Sequence, residues 1–371
     1  MTFLNNNVIL NAVICFTLIV FVFVFVLDMN SILKKKNIIK LRRQFKGSAL
    51  VIVPCKGKDI TLYDNLRSLK SQSYNNYNIV AIIDSEEDPA VYDIKKVGLK
   101  YIITDKKFGG SGKVKAIATA VKKFYDYEAY VIVDSDVYVE HNWLESLLAP
   151  LNDKNIGLST MYPFFNPLRK NFWSSMKMIW GFVGDSLLEN ESRRFGWGGS
   201  LAFRKDILDK EGLLFFTTSK YSVSDDISLT KIAKKKKLRI AYVEKPKPIV
   251  NCNETFPSFF EWANRQTALT LLGYRKTLLL GIIYYTSEII IFISGIVFSI
   301  FISPIFIMFF LHTMKSIMIA FKRAKTINLF IFFAVLFAPF LYEVNLVIAS
   351  NMKKINWRGK SYELRQTSRK N

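Results

Sequence analysis

Tyr130-Val131-Ile132-Val133-Asp134-Ser135-Asp136 is the stretch on which the reading of this chain turns. Its apolar half, rich in β-branched residues, reads as a buried strand, because branched side chains fit the pleated surface of a sheet. The two carboxylates then fall at the strand's carboxyl end. In open α/β sheets that end faces the ligand crevice. Hard oxygen ligands suit Mg²⁺ or Mn²⁺, and such an ion can hold a diphosphate. A solvated acidic turn is the plainer reading of the same residues.

Upstream, apolar runs at residues 49–53, 79–83 and 101–103 alternate with helix-like stretches. That alternation predicts an α/β fold with a mostly parallel sheet and crossover helices. Between the third and fourth runs, Val114, Ile117, Ala118, Val121 and Phe124 recur at helical spacing, with Lys113, Lys115, Lys122 and Lys123 mostly on the other side. Gly109-Gly110-Ser111-Gly112-Lys113 resembles a phosphate cradle, but Val114 stands where a P-loop needs Ser or Thr. Two readings stay open: a flexible connection that opens a helix, or a loop whose Lys113 or Lys115 contacts the diphosphate of a donor. Ser224-Asp225-Asp226-Ile227 reads by itself as a helix cap. Asp84 and Asp88 follow the second run, however, and Asp134 and Asp136 the fourth. With Asp225 and Asp226 they form a set able to meet at one crevice, with one cluster for nucleotide, one for metal and one left as a base.

The 371 residues are 50% hydrophobic and 15% aromatic, high for a soluble enzyme, and the excess sits at the two ends. Residues 8–27 carry no charge and match the ~20 residues needed to cross a bilayer. They run into Asp28 and Lys34-Lys35-Lys36 without a small-residue cleavage site, so they read as a retained anchor. Residues 278–311 hold one charge, Glu288, and are too long for one span, with Pro304 a natural division. A last apolar stretch, 327–350, contains Pro339, Glu343 and Asn345. The expected organisation is an anchor over 1–31, a catalytic domain over 45–270, a membrane region of two to three segments over 271–350, and a basic tail over 351–371.

Lys34, Lys35, Lys36, Arg42, Arg43 and Lys46 follow the first span, so the positive-inside bias places the central domain in the cytoplasm. Lys322, Arg323 and Lys325 precede the last apolar stretch and Lys353, Lys354, Arg358 and Lys360 follow it. Both flanks then favour the cytoplasmic side, which a single crossing cannot satisfy. One solution is a re-entrant or interfacial segment broken near Pro339; the other is an ordinary span that ignores the bias. The net charge of +22, from 52 basic and 30 acidic residues, invites a nucleic-acid partner. Its distribution argues against one. The basic residues crowd beside apolar segments and in Lys234-Lys235-Lys236-Lys237, where each gains about 1 kcal/mol against anionic headgroups, and no nucleic-acid signature appears. Cys15, Cys55 and Cys252 are too few and scattered for a disulfide framework or a zinc site, and they fit a reducing compartment.

Val53-Pro54-Cys55-Lys56-Gly57, Asp84-Ser85-Glu86-Glu87-Asp88-Pro89-Ala90, Asp134-Ser135-Asp136, Gly199-Ser200 with Arg204-Lys205-Asp206, Asp225-Asp226 and the tail Trp357-Arg358-Gly359-Lys360-Ser361-Tyr362 occur in an order that resembles the ceramide glucosyltransferases, inverting enzymes of the family-2 and family-21 type. The resemblance spans nearly the whole chain. It implies a GT-A nucleotide-diphospho-sugar domain that moves a sugar, glucose by that likeness, from a UDP-sugar to the hydroxyl of a membrane lipid such as ceramide. By the same resemblance Asp88 helps hold the nucleoside, Asp134 and Asp136 hold Mg²⁺ or Mn²⁺ at the diphosphate, and Asp226 is the general base; Asp84, from the strand-end acids, and Lys115, from the glycine-rich loop, are expected to join the donor site. Gly199, Ser200, Trp262, Arg265 and Gln266 fall on the acceptor side. One element departs from the family pattern: where a Gln-x-x-Arg-Trp motif is expected, the chain reads Trp262-Ala263-Asn264-Arg265-Gln266. On a helix Trp262 lies one turn before Gln266 on the same face. It either replaces the missing ring or packs as an ordinary helix contact. Other acceptors remain open, namely a hopanoid-like lipid, a polyprenyl phosphate or a polysaccharide, as does a non-enzymatic membrane scaffold. A transporter would place its carboxylates within apolar helices, where only Glu288 and Glu343 qualify.

Overall fold

The computed structural model describes residues 2–33 and 44–364. They form two compact units. One takes the described residues of Met1–Lys35, Lys170–Phe182 and Glu254–Asn351; the other takes those of Lys36–Arg169, Val183–Asn253 and Met352–Asn371.

The first unit is helical. It contains α1 (Thr2–Leu33) and, later in the chain, four helices that follow the second unit's sheet. The second unit is built on alternating strands and helices: β1 (Ala49–Pro54), α2 (Leu62–Lys70), β2 (Tyr77–Ile83), α3 (Ala90–Val97), β3 (Lys100–Ile103), α4 (Gly112–Lys123) and β4 (Ala129–Val133). There follow β5 (Val137–Tyr138), α5 (Trp143–Leu148), β6 (Ile156–Thr160) and β7 (Phe164–Pro167). After α6 (Phe172–Glu189) come β8 (Ser200–Arg204), α7 (Lys210–Thr218), α8 (Asp225–Lys235), β9 (Arg239–Tyr242) and β10 (Ile249–Cys252).

Seven strands make one sheet in the order β3-β2-β1-β4-β8-β6-β9. The pairs β1–β2, β1–β4, β2–β3 and β6–β9 are parallel, and only β8 runs antiparallel to its neighbours β4 and β6. The mainly parallel α/β fold therefore stands. Strands covered on both faces read as continuous apolar runs rather than alternating ones, and β4 is buried at every residue. α4 supplies one cover: Val114, Ile117, Ala118 and Val121 are buried, and they pack in one cluster with Leu50, Ile52, Val80, Ile82, Tyr130 and Ile132. Each such large aliphatic side chain, fully buried, stabilises by about 1.5–3 kcal/mol. The strand order reverses between β1 and β4, and a crevice outside the carboxyl ends is the usual ligand site at such a reversal. Asp134-Ser135-Asp136 lies there.

In the helical unit, α9 (Phe256–Gly273), α10 (Lys276–Phe301), α11 (Leu311–Ala324) and α12 (Leu329–Asn351) follow in turn, with a 3₁₀ segment Pro304–Phe310 before α11. Four stretches are long and apolar enough to cross a membrane: Val8–Asn30, Lys276–Phe301, Pro304–Ala324 and Leu329–Asn351. Phe21 and Val24 of α1 pack against Ile291 and Phe298 of α10 and against Phe306 and Phe309. The break expected near Pro339 is absent, because α12 runs through that proline without interruption. A proline costs the helix one backbone hydrogen bond, and the buried residues on either side, Val335, Ala338, Tyr342 and Asn345, hold the helix together across it. Lys34, Lys35, Lys36, Arg42 and Arg43, which carry the charge reading of the first flank, lie outside the described residues. The chain closes with a hairpin, β11 (Lys354–Trp357) and β12 (Lys360–Glu363), that belongs to the sheet-containing unit.

Candidate active site

The site begins at the glycine-rich loop. Gly110 has φ +89°, a conformation glycine adopts freely, and a Cβ there would come within 2.7 Å of the Ser222 carbonyl. Ser111 donates its amide to that same carbonyl at 2.8 Å, and its hydroxyl accepts from the Val114 amide as the cap of α4. The loop is thereby tied to the turn that precedes α8. This brings Lys113, in the first turn of α4, to Asp225, in the first turn of α8.

Lys113 Nζ lies 2.7 Å from Asp134 Oδ1, 3.1 Å from Asp225 Oδ2 and 3.1 Å from the Gly198 carbonyl oxygen, to which it donates. Its side chain is 8% exposed. Burial by itself would lower the ammonium's pKa; the carboxylates of Asp134 and Asp225 outweigh it and hold the group above the usual lysine range. Burial raises both Asp134 and Asp225 above the usual carboxylate range, each raised further by a neighbouring aspartate, and Lys113 offsets only part of this. Gly198 makes room for the arrangement, since a Cβ there would stand 2.3 Å from Asp225 Oδ2.

Asp226 behaves differently. It is half-buried, and its Oδ1 accepts from the Ile227 amide at 2.7 Å and from the Ser224 hydroxyl. The acidic pair therefore divides into a buried member bound to Lys113 and a member that opens towards solvent.

Between β2 and α3, Asp88 Oδ1 accepts from the amides of Gly57, just after β1, at 2.9 Å and of Ala90 at 3.0 Å, so this carboxylate shapes the loop. Asp84 pairs with Lys360 at 2.9 Å and Lys56 at 3.4 Å; burial would raise it, but the two ammonium groups pull it below the usual carboxylate range. Asp59 accepts from the Ser135 hydroxyl at 2.6 Å and from Arg358 Nη2 at 2.6 Å. Arg358 is held above the usual arginine range despite its burial by Asp59, with Asp136 and Asp134 adding.

Asp84, Asp88, Asp134, Asp136 and Asp226 thus all belong to the sheet-containing unit, at or after strand ends and at the start of α8. Lys113, not Lys115, is the lysine that reaches the carboxylates; Lys115 donates its amide to Ser111 and its carbonyl accepts from Thr119. Gly199 donates no side chain, but its carbonyl lies 3.4 Å from the Asp134 amide. The Ser200 hydroxyl, expected at the acceptor, is fully buried and accepts from the Trp143 indole at 2.8 Å. Trp262, Arg265 and Gln266 lie on α9 in the other unit. There Trp262 is half-buried, 6.3 Å from the Trp180 ring and 4.9 Å below the Lys177 ammonium. Sequence reasoning passed over Asp59 and the two cations of the tail. The signal for Asp59 was its position five residues beyond β1, the strand next to β4 at the reversal.

A divalent ion fits these residues in kind, for they offer carboxylate oxygen alone. Among the described residues no group of three or more His, Cys, Asp or Glu side chains is gathered to enclose one. Mg²⁺ takes one or two carboxylates and draws its other ligands from phosphate and water.

The sequence matches glycosyl transferase family 21 over residues 16–370. Among solved structures, a mannosyltransferase from Pyrobaculum calidifontis, determined with GDP-Man and Mn²⁺, is 14% identical, with 91% of this chain and 96% of that one covered and a TM-score of 0.56. A glucosyl-3-phosphoglycerate synthase from Mycobacterium tuberculosis is also 14% identical, with 61% and 80% covered and a TM-score of 0.41. The first shares the GT-A fold. With carboxylates gathered at the strand ends of a mainly parallel sheet and a family match that runs from the first apolar helix to the tail, the chain belongs to glycosyl transferase family 21 and is a nucleotide-sugar glycosyltransferase.

Proposed function

We propose that the chain transfers glucose from UDP-glucose to the hydroxyl of a membrane lipid such as ceramide, with inversion at the anomeric carbon, and that it does so on the cytoplasmic side of the membrane. The observation that carries the catalytic part is the division of the acidic pair. Asp225 is buried against Lys113, whereas Asp226 is half-buried and open to an incoming group. A general base must lie within hydrogen-bond reach of the proton it takes, and only the open carboxylate meets that need. In the proposed step Asp226 takes the acceptor hydroxyl's proton as that oxygen bonds to C1 of the sugar. The bond from C1 to the diphosphate oxygen breaks, and its electron pair leaves with UDP.

Asp134 and Asp136 would hold the Mg²⁺ or Mn²⁺, which supplies charge neutralisation on the departing diphosphate. Lys113 holds Asp134 and Asp225 in place. Asp84 and Asp88 border the loops that would receive the nucleoside, and Trp262, Arg265 and Gln266 on α9 are proposed for the acceptor. The lipid acceptor is supported by the four apolar helices within the same chain. Such an arrangement suits an amphiphile that presents its headgroup at the interface.

The test uses membranes that contain the protein, radiolabelled UDP-glucose and chromatography of the extracted lipids. A labelled lipid that disappears with EDTA and returns with Mn²⁺ is expected. Label confined to water-soluble polymer would refute the lipid acceptor, and undiminished transfer in EDTA would refute the metal.

A further inference from the structure

The hairpin at the end of the chain turns on Arg358 and Gly359, with Trp357 paired to Lys360 across the strands. Both turn residues have positive φ, 49° at Arg358 and 74° at Gly359, as a type I′ turn requires. Glycine suits such a position, and Asn or Asp is the usual residue before it. An arginine there is held against its backbone preference. Outliers of this kind gather at ligand clamps and active sites.

The turn delivers a guanidinium to the rim of the crevice. Arg358 Nη2 donates to Asp59 Oδ1 at 2.6 Å, and Asp59 Oδ2 accepts from Ser135, the residue between Asp134 and Asp136. Two residues on, Lys360 Nζ donates to Asp84 at 2.9 Å. Two further, the Tyr362 hydroxyl accepts from the amide of Gly112, the first residue of α4, at 3.2 Å. One short hairpin therefore reaches the ends of β1 and β2, the loop after β4 and the start of a helix.

Charge explains why the hairpin matters. The strand ends and the start of α8 carry Asp59, Asp84, Asp134, Asp136 and Asp226, with Asp225 buried behind them, and a nucleoside diphosphate adds more negative charge. Lys113 is already shared between Asp134 and Asp225. We propose that Arg358, supported by Lys360, is the diphosphate clamp of the donor site, and that its guanidinium exchanges the Asp59 carboxylate for diphosphate oxygens when donor binds. The planar fork of arginine matches phosphate oxygens two at a time. Asp59 is then the resting partner that keeps the guanidinium aimed while the site is empty. This rests on the proposed UDP-sugar donor.

The test compares UDP with uridine on the full-length protein in detergent, by calorimetric titration with Mn²⁺ present. Arg358→Asn keeps a residue that favours the turn and removes the guanidinium, so the hairpin is retained. UDP affinity should fall at least tenfold, uridine affinity should stay within twofold, and Asp59→Asn should bind UDP several-fold more tightly than the unaltered chain. If Arg358→Asn bound UDP as tightly as the unaltered chain, or lost uridine in equal measure, the clamp would be overturned while the proposed transfer stood. An unaltered chain that bound no nucleoside diphosphate would overturn both.

Discussion

Two ionic networks lie in this chain, one at the strand ends and one among apolar helices, and they are made in opposite ways. At the strand ends, Lys113 joins Asp134 and Asp225 through loops that the sheet and α4 position. In the helical unit, Asp28 of α1 meets His312 at 2.8 Å and also Lys315, while the other nitrogen of His312 lies 2.8 Å from Glu288 of α10. The first network leaves a neighbouring carboxylate, Asp226, open to solvent. The second closes on itself, each acid facing a basic or imidazole partner. Charges among apolar helices are costly unless paired, so the second network ties helices together, and the first is arranged around chemistry.

The comparison breaks most readily at Asp226. Asp226→Asn should lower turnover by ~10² or more, the scale for loss of a general base, with UDP affinity retained. Asp225→Asn should instead damage stability together with activity. If Asp225→Asn abolished turnover in a stable protein while Asp226→Asn did not, the roles within the pair would be reversed. Next in size is Lys113→Met, which leaves Asp225 buried, with half-buried Asp134 beside it, without their cation. Removing one partner of a buried pair costs about 3–5 kcal/mol, so the thermal midpoint in detergent should drop well below that of the unaltered chain. Partial recovery in Lys113→Met with Asp225→Asn would confirm the coupling, and strictly additive losses would refute it. The smallest effect is expected for Asp28→Asn. The amide still fills the space and keeps a hydrogen bond, so a loss of about 1–3 kcal/mol is expected, seen in thermal inactivation with the Michaelis constants unchanged. A selective change in either Michaelis constant would show that this network takes part in catalysis after all.

How much of this was legible follows the same division. The β4 strand with its Asp-x-Asp, the amphipathic α4 and the acidic pair before α8 are local patterns, in which spacing along the chain decides burial and direction. Lys113 against Lys115 was not legible, because both fit the loop and only the tie from Ser111 to Ser222 selects the one that turns inward. The Asp28–His312 contact spans 284 positions, and no local period encodes such a pairing. Pro339 misled for a physical reason: proline weakens an exposed helix, but packed neighbours carry α12 through it. The tail lies in the same unit as the strand ends. Residues 44–169 and 352–364 therefore belong to one compact body.

The hairpin also sets an order of events in biosynthesis. Gly112 and Tyr362 are 250 positions apart, which at ordinary rates of translation is roughly 10–50 s. In that interval β1 to β4 can assemble and the three later apolar helices must emerge. Arg358 and Lys360 follow every apolar helix in the chain. A chain still on the ribosome, or one that has lost its final residues, has its carboxylates in place but lacks the two cations that face them. On the proposed clamp, the donor site is complete only once the apolar helices before the hairpin have been made.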